Sequence, residues 1–148
     1  MEIIQPNAEG LSFSFWGHEG RIGLPPDVPE VVLTYEYEPP HGDFMYTLSL
    51  AGKILRHGRP PRLFWGRNIL VSPRGRHLAI TEGLEEMRHT VFSLAENREW
   101  SRRGFVKLVS LAFPALTYQE YVFSAHKVVL GPLVTVDLQA NGGWQAIV

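Results

Sequence analysis

Apolar and polar side chains alternate with a period of two along much of this chain, the spacing at which successive residues of an extended strand point to opposite faces. In "LSFSFW", Leu11, Phe13 and Phe15 fall on one face. In "EVVLTYEYE", Val31, Leu33, Tyr35 and Tyr37 fall opposite Val32, Thr34, Glu36 and Glu38, and in "DFMYTLSL" Phe44, Tyr46, Leu48 and Leu50 share a face. Branched and aromatic side chains pack well on a pleated surface with one wet side, so these segments predict half-buried strands. The same reading covers "NILVS" 68–72, "RHLAIT" 76–81, "HTVFSL" 89–94, "FVKLVSLAF" 105–113, "KVVL" 127–130 and "LVTVDL" 133–138. Turn-forming clusters separate them at 17–20, 39–43, 51–53, 72–75, 95–99 and 140–143. The expected fold is one all-β domain over residues 1–148, mostly an antiparallel meander, closed as a barrel or folded as a sandwich.

Two segments leave room for one or two short helices. "TEGLEEMRH" 81–89 lacks β-formers in its middle, which suits a helical turn. "TYQEYVFSAH" 117–126 opens with Thr117 and Glu120 at capping-box spacing, yet its tyrosines, valine and phenylalanine favour a strand. Pro25, Pro26 and Pro29 precede the 30–38 strand and Pro39 and Pro40 follow it, which predicts an edge strand or one bounded by stiff loops.

Composition narrows the chemistry. With 148 residues, 45% of them hydrophobic, the chain has the size and make-up of one globular domain. It contains no cysteine, which removes disulfides, thiolate metal sites and cysteine nucleophiles from consideration. The opening "MEIIQPNAEG" lacks a basic and then apolar leader, and a cytoplasmic location is the expectation. Net charge is −1, but its distribution is uneven. Residues 1–43 carry eight acids against the single base Arg21, whereas residues 44–81 carry seven bases and no acid. Opposite blocks either pair inside the fold or lie on separate faces that steer a charged partner.

The basic block centres on "RHGRPPRLFWGR", which sets Arg56, Arg59, Arg62 and Arg67 around Phe64 and Trp65. Three readings compete for it. Cations with interleaved aromatics suit nucleic acid, with residues 53–76 as the interface, although a chain pI near 6.6 and the acidic block oppose phosphate. Arginine and tryptophan also concentrate binding energy at protein interfaces. In the third reading Leu63 and Trp65 point inward, while Phe64 and the arginines line a rim that pairs with the acids of 30–38.

The remaining side chains carry little recognisable catalytic equipment. Six histidines, His18, His41, His57, His77, His89 and His126, show no short spacing that presents two ligands to one metal, so neither metal nor cofactor is expected. No nucleophile elbow, phosphate loop or dinucleotide fingerprint is present. Glu36 and Glu38 on one strand face lie about 7 Å apart at two residues of extended rise, a separation that serves a general acid and base. An enzyme using that pair, or a barrel binding a small ligand between Phe13, Phe15, Tyr35, Tyr37, Phe44, Tyr46 and Trp65, is the alternative to a binding protein.

Two resemblances accompany these readings. "ILVSPRGRHLAITEG" followed by "HTVFSLAENREW", over residues 68–100, resembles one blade of a β-propeller of the WD40 or TolB type. A propeller takes at least four blades of roughly 40 residues, more than this chain supplies, so no function is carried across. In general character (small, cysteine-free, without catalytic motifs, with blockwise charge) the chain resembles immunity proteins that neutralise bacterial toxins by covering them. That resemblance implies a non-catalytic protein-binding module with a toxin as partner. The contacting residues would come from Arg56, Arg59, Arg62, Trp65 and Arg67 on the basic side and Glu30, Glu36, Glu38 and Asp43 on the acidic side.

Overall fold

The segments of period two become strands, and several shorter ones join them. The computed structural model describes all residues except 6–9, 41–43, 52, 55–62, 84–86, 97, 141–142 and 148, and of residues 37, 53, 54 and 147 only the backbone. The strands are β1 (Glu2–Ile4), β2 (Leu11–Phe13), β3 (Glu19–Ile22), β4 (Val31–Tyr37), β5 (Met45–Leu50), β6 (Lys53–Ile54), β7 (Leu63–Trp65) and β8 (Ile69–Val71). They continue with β9 (His77–Glu82), β10 (Arg88–Ser93), β11 (Arg98–Arg103), β12 (Val106–Ala112), β13 (Ala115–Phe123), β14 (Val128–Asp137) and β15 (Gln145–Ile147). Helix is confined, among the described residues, to single 3-10 turns at Pro73–Gly75 and Leu138–Ala140.

Twelve strands form one sheet in the order β1-β3-β4-β5-β7-β9-β10-β11-β15, with β6 beside β5, and β8 pairing with both β2 and β9. The β1–β3 pair is parallel and the other pairs are antiparallel, so the sheet is mixed. β12, β13 and β14 form a second sheet of three strands. The path does not close on itself, and the barrel alternative gives way to two sheets.

Two cores follow from the alternation. Val31 and Leu33 of β4, Tyr46 and Leu48 of β5, Phe64, Ile69 and Val71, Leu78 and Ile80, and Phe92 face one core together with Phe15, Ile22 and Val28. From the intervening positions, Leu70, Ala79, Val91 and Trp100 face the other, against Val106, Leu108, Leu111, Leu116, Tyr118 and Trp144. β8, β9 and β10 are therefore covered on both sides, which is why "NILV" and "HLAI" read as continuous apolar runs.

The structure corrects the sequence reading in several places. β4 is not an edge strand, because β3 and β5 flank it. Phe64, opposite Tyr46, is the inward residue of β7, while Leu63 and Trp65 share the other face and are half-buried. The 127–130 and 133–138 segments run together as β14. The strand reading of 117–126 holds through β13, and the proposed helical turn in 81–89 has its middle outside the described residues. Segments read as turns at 17–20 and 95–99 contain the starts of β3 and β11.

Candidate functional site

The end of the large sheet where β3 begins, β4 ends and β5 begins gathers most of the described residues of interest. Tyr35 is tied to the 17–20 turn by its backbone N–H, which donates to the His18 carbonyl at 2.8 Å. The Phe15 N–H donates to Gly66 O at 2.7 Å, and the Gly66 N–H donates to Phe44 O at 3.0 Å. Gly66 permits this approach because a Cβ there would lie 2.4 Å from the Phe15 carbonyl oxygen. The buried Tyr46 hydroxyl then bridges the Phe15 and Gly17 carbonyls at 3.1 and 2.8 Å. Burial first, then Tyr35 and Glu2, push its pKa up to about 12, so it stays protonated and its single O–H is shared between the two carbonyls.

Trp16 sits between those two clamped carbonyls and is 53% exposed. Its ring meets Phe44 edge-on at 6.0 Å, Phe44 meets Tyr35 at 5.1 Å, and Tyr35 meets the exposed His18 at 5.3 Å. The backbone on both sides of Trp16 is thus fixed, and the residue is left half-exposed. At this end of the sheet β1, β3, β4 and the residue after β4 also carry the exposed Glu2, Glu19, Glu36 and Glu38, with Glu36 bonded to Thr47 on the face away from Tyr46. Glu36 occupies the β-bulge between Tyr35 and Tyr37 and accepts a hydrogen bond from the Thr47 hydroxyl at 3.0 Å. Exposed Arg67, one residue past Gly66, is at the same end and is itself engaged.

The residues singled out from sequence are only partly brought together. Glu36, Glu38 and Arg67 share this end, while Glu30 lies at the opposite end of β4 with Arg21 at 3.9 Å. Asp27 of the acidic block pairs with Arg76 of the basic block, and that guanidinium hydrogen bond is the largest influence holding the Asp27 carboxyl below its ordinary range. At this pair the two blocks neutralise each other. β7 does not touch the acidic strand, because β5 runs between them. The indole N–H of the half-buried Trp65 donates to Gly83 O at 2.9 Å. Arg56, Arg59, Arg62 and Asp43 lie outside the described residues.

Other expectations are changed by burial. Phe15 and Tyr46, assigned above to a ligand cavity, are 2% and 0% exposed and pack on each other at 5.2 Å. Glu36 and Glu38 are exposed rather than enclosed. Among the described residues, no group of three or more His, Asp or Glu is placed to hold a metal, and no helix is long and apolar enough to cross a membrane. Trp16 was missed as a functional candidate, and His18 was considered only as a metal ligand. Their only signal was a tryptophan directly before a Gly-His-Glu-Gly turn in the acidic block. No family model, curated protein or solved structure matches the chain.

Proposed function

We infer that this chain is a non-catalytic protein-binding module that docks a basic partner on the Trp16 end of its large sheet. The observation that carries the reading is a half-exposed tryptophan on a backbone clamped by Tyr46, at the end of the sheet whose strands also carry the exposed Glu2, Glu19, Glu36 and Glu38. Aromatic anchors that are rigid before binding lose little conformational entropy on docking and carry much of the energy of interfaces. Carboxylates at the rim raise the rate of encounter with a positively charged surface, and desolvated aromatic contact slows release. A toxin that binds phosphate is one basic partner of this kind, with the carboxylates standing in for phosphate groups and the chain acting as its neutraliser.

The test is affinity capture from the source cell with the wild-type chain, Trp16→Ala, and Glu36→Arg combined with Glu38→Arg. Melting curves establish that the variants fold. The expected result is one stoichiometric basic protein on the wild-type chain, lost from both variants and weakened by salt. Recovery of no such protein, or equal recovery on all three baits, would overturn the reading.

A further inference from the structure

The β13–β14 hairpin runs past the rest of the molecule. β12 accompanies β13 only as far as the Val106–Glu120 pair and the Tyr121 N–H bond to Phe105 O, so beyond it Val122–Phe123 and Val128–Val129 pair with each other. Neither core includes any residue from 121 to 133. Nevertheless the segment is apolar: Phe105, Val122, Phe123, Val128, Val129, Leu130 and Leu133 are each 41–62% exposed. The pairing register sorts them by face. Phe123 opposite Val128 and Tyr121 opposite Leu130 share one face with Phe105, whose ring meets Phe123 edge-on at 5.2 Å, and with Leu133. Val122 opposite Val129 lies on the reverse face, beside Glu120, whose carboxylate is held by Arg102 at 2.8 Å.

β14 is also an edge. It is the last strand of its sheet, ten residues long, and among the described strands only β13 pairs with it. Backbone direction along it follows from two bonds. The Leu138 N–H donates to Pro114 O at 2.9 Å, toward β13, and the Tyr121 N–H donates to Phe105 O at 3.0 Å, away from β14. By strand alternation Val128, Leu130, Leu133, Thr135 and Asp137 then offer their backbone groups outward. Pro132, which has no N–H to offer, is tolerated in a strand at such an edge.

We propose that a second copy of this chain covers this edge, β14 pairing antiparallel with β14 about a two-fold axis. Matching outward-facing backbone groups leaves few registers. The one centred between Gly131 and Pro132 sets Leu130 opposite Leu133 of the second copy, twice by symmetry, and Val128 opposite Thr135. It also brings the basic end of the strand, His126 and Lys127, against the acidic end, Asp137. Charge and apolar patterns therefore agree on one alignment. Of the seven half-exposed side chains, Val128, Val129, Leu130 and Leu133 belong to the paired strand itself, and with the newly paired backbones of two ten-residue strands they form an interface at the small end of the range seen for specific complexes. The Trp16 end is not involved, so the two surfaces act independently.

Sedimentation velocity over a hundredfold range of concentration tests the proposal. The wild-type chain is expected to dimerise. Leu130→Lys and Leu133→Asp, folded by their melting curves, are each expected to weaken the dimer at least tenfold. The double variant, which places opposite charges across the axis, is expected to recover it. A wild-type chain that stays monomeric throughout, or single variants that dimerise like wild type, would overturn the proposal, and so would a double variant weaker than both singles. None of these results bears on capture through Trp16, whose own variants decide that reading separately.

Discussion

His89 shows how one buried polar side chain is accommodated within a strand. It is fully buried in β10, with Nδ1 2.9 Å from the Thr81 hydroxyl and Nε2 2.9 Å from the Gly104 carbonyl oxygen. A carbonyl only accepts, so Nε2 carries the proton and Nδ1 accepts from Thr81, which fixes the neutral tautomer. Burial, more than any other influence, lowers the pKa of His89, with Arg102 acting in the same sense and the Gly104 bond and Glu82 opposing. Burial lowers His77 as well. The unfolded chain therefore takes up protons near the ordinary value of 6.5 while the folded chain does not. Stability is complete above that pH and falls as pH drops through it toward the lowered folded value. Urea midpoints measured from neutral pH down to the acid side are expected to decline, with His89 contributing a slope of at most ~1.4 kcal/mol per pH unit. His89→Gln should flatten part of that decline, and an unchanged pH profile in that variant would contradict the neutral assignment.

At the scale of elements, the sequence was most readable where one face of a strand is wet. Val31 and Leu33, at alternating positions of β4, are core residues as their period predicted. It was less readable where covering is two-sided. In β5, Met45 and Thr47 are buried as well as Tyr46 and Leu48, because Leu63 and Trp65 share their face across the β5–β7 pair. β7 was assigned the wrong face for the same reason: three residues flanked by arginines do not say which neighbour they will meet, and the pairing with Tyr46 decides it. β11, "REWSRR", has no apolar period at all and becomes a strand by pairing with β10 and β15. β9 permits a direct check of two-sided covering. Ala79 faces one core between neighbours that face the other, with no exposure. Ala79→Leu is expected to overpack that core and cost about 1–3 kcal/mol in chemical unfolding, whereas Ala140→Leu in the exposed turn after β14 should be close to neutral.

On the scale of the whole molecule, the segregated charge was visible from the start, but its use was not. Asp27 with Arg76 joins the two blocks, and Arg21 with Glu30 removes another acid, yet Glu2, Glu19, Glu36 and Glu38 remain exposed at the Trp16 end of the sheet. What the sequence could not show was that β1, β3 and β4 bring these four residues, distant along the chain, to one end of one sheet. Nor could it show that Tyr46 and Gly66 hold Trp16 outward there, since both contacts join segments about thirty or more positions apart. The apolar hairpin was legible only as strands, because "KVVL" and "LVTVDL" look the same whether they enter a core or stand outside one. The central claim is that partners dock on the Trp16 end, and backbone amide exchange of the chain alone and in complex with its captured partner tests it most directly. Added protection is predicted at residues 15–19, 34–38 and 44–46; protection absent there and gained elsewhere would contradict it.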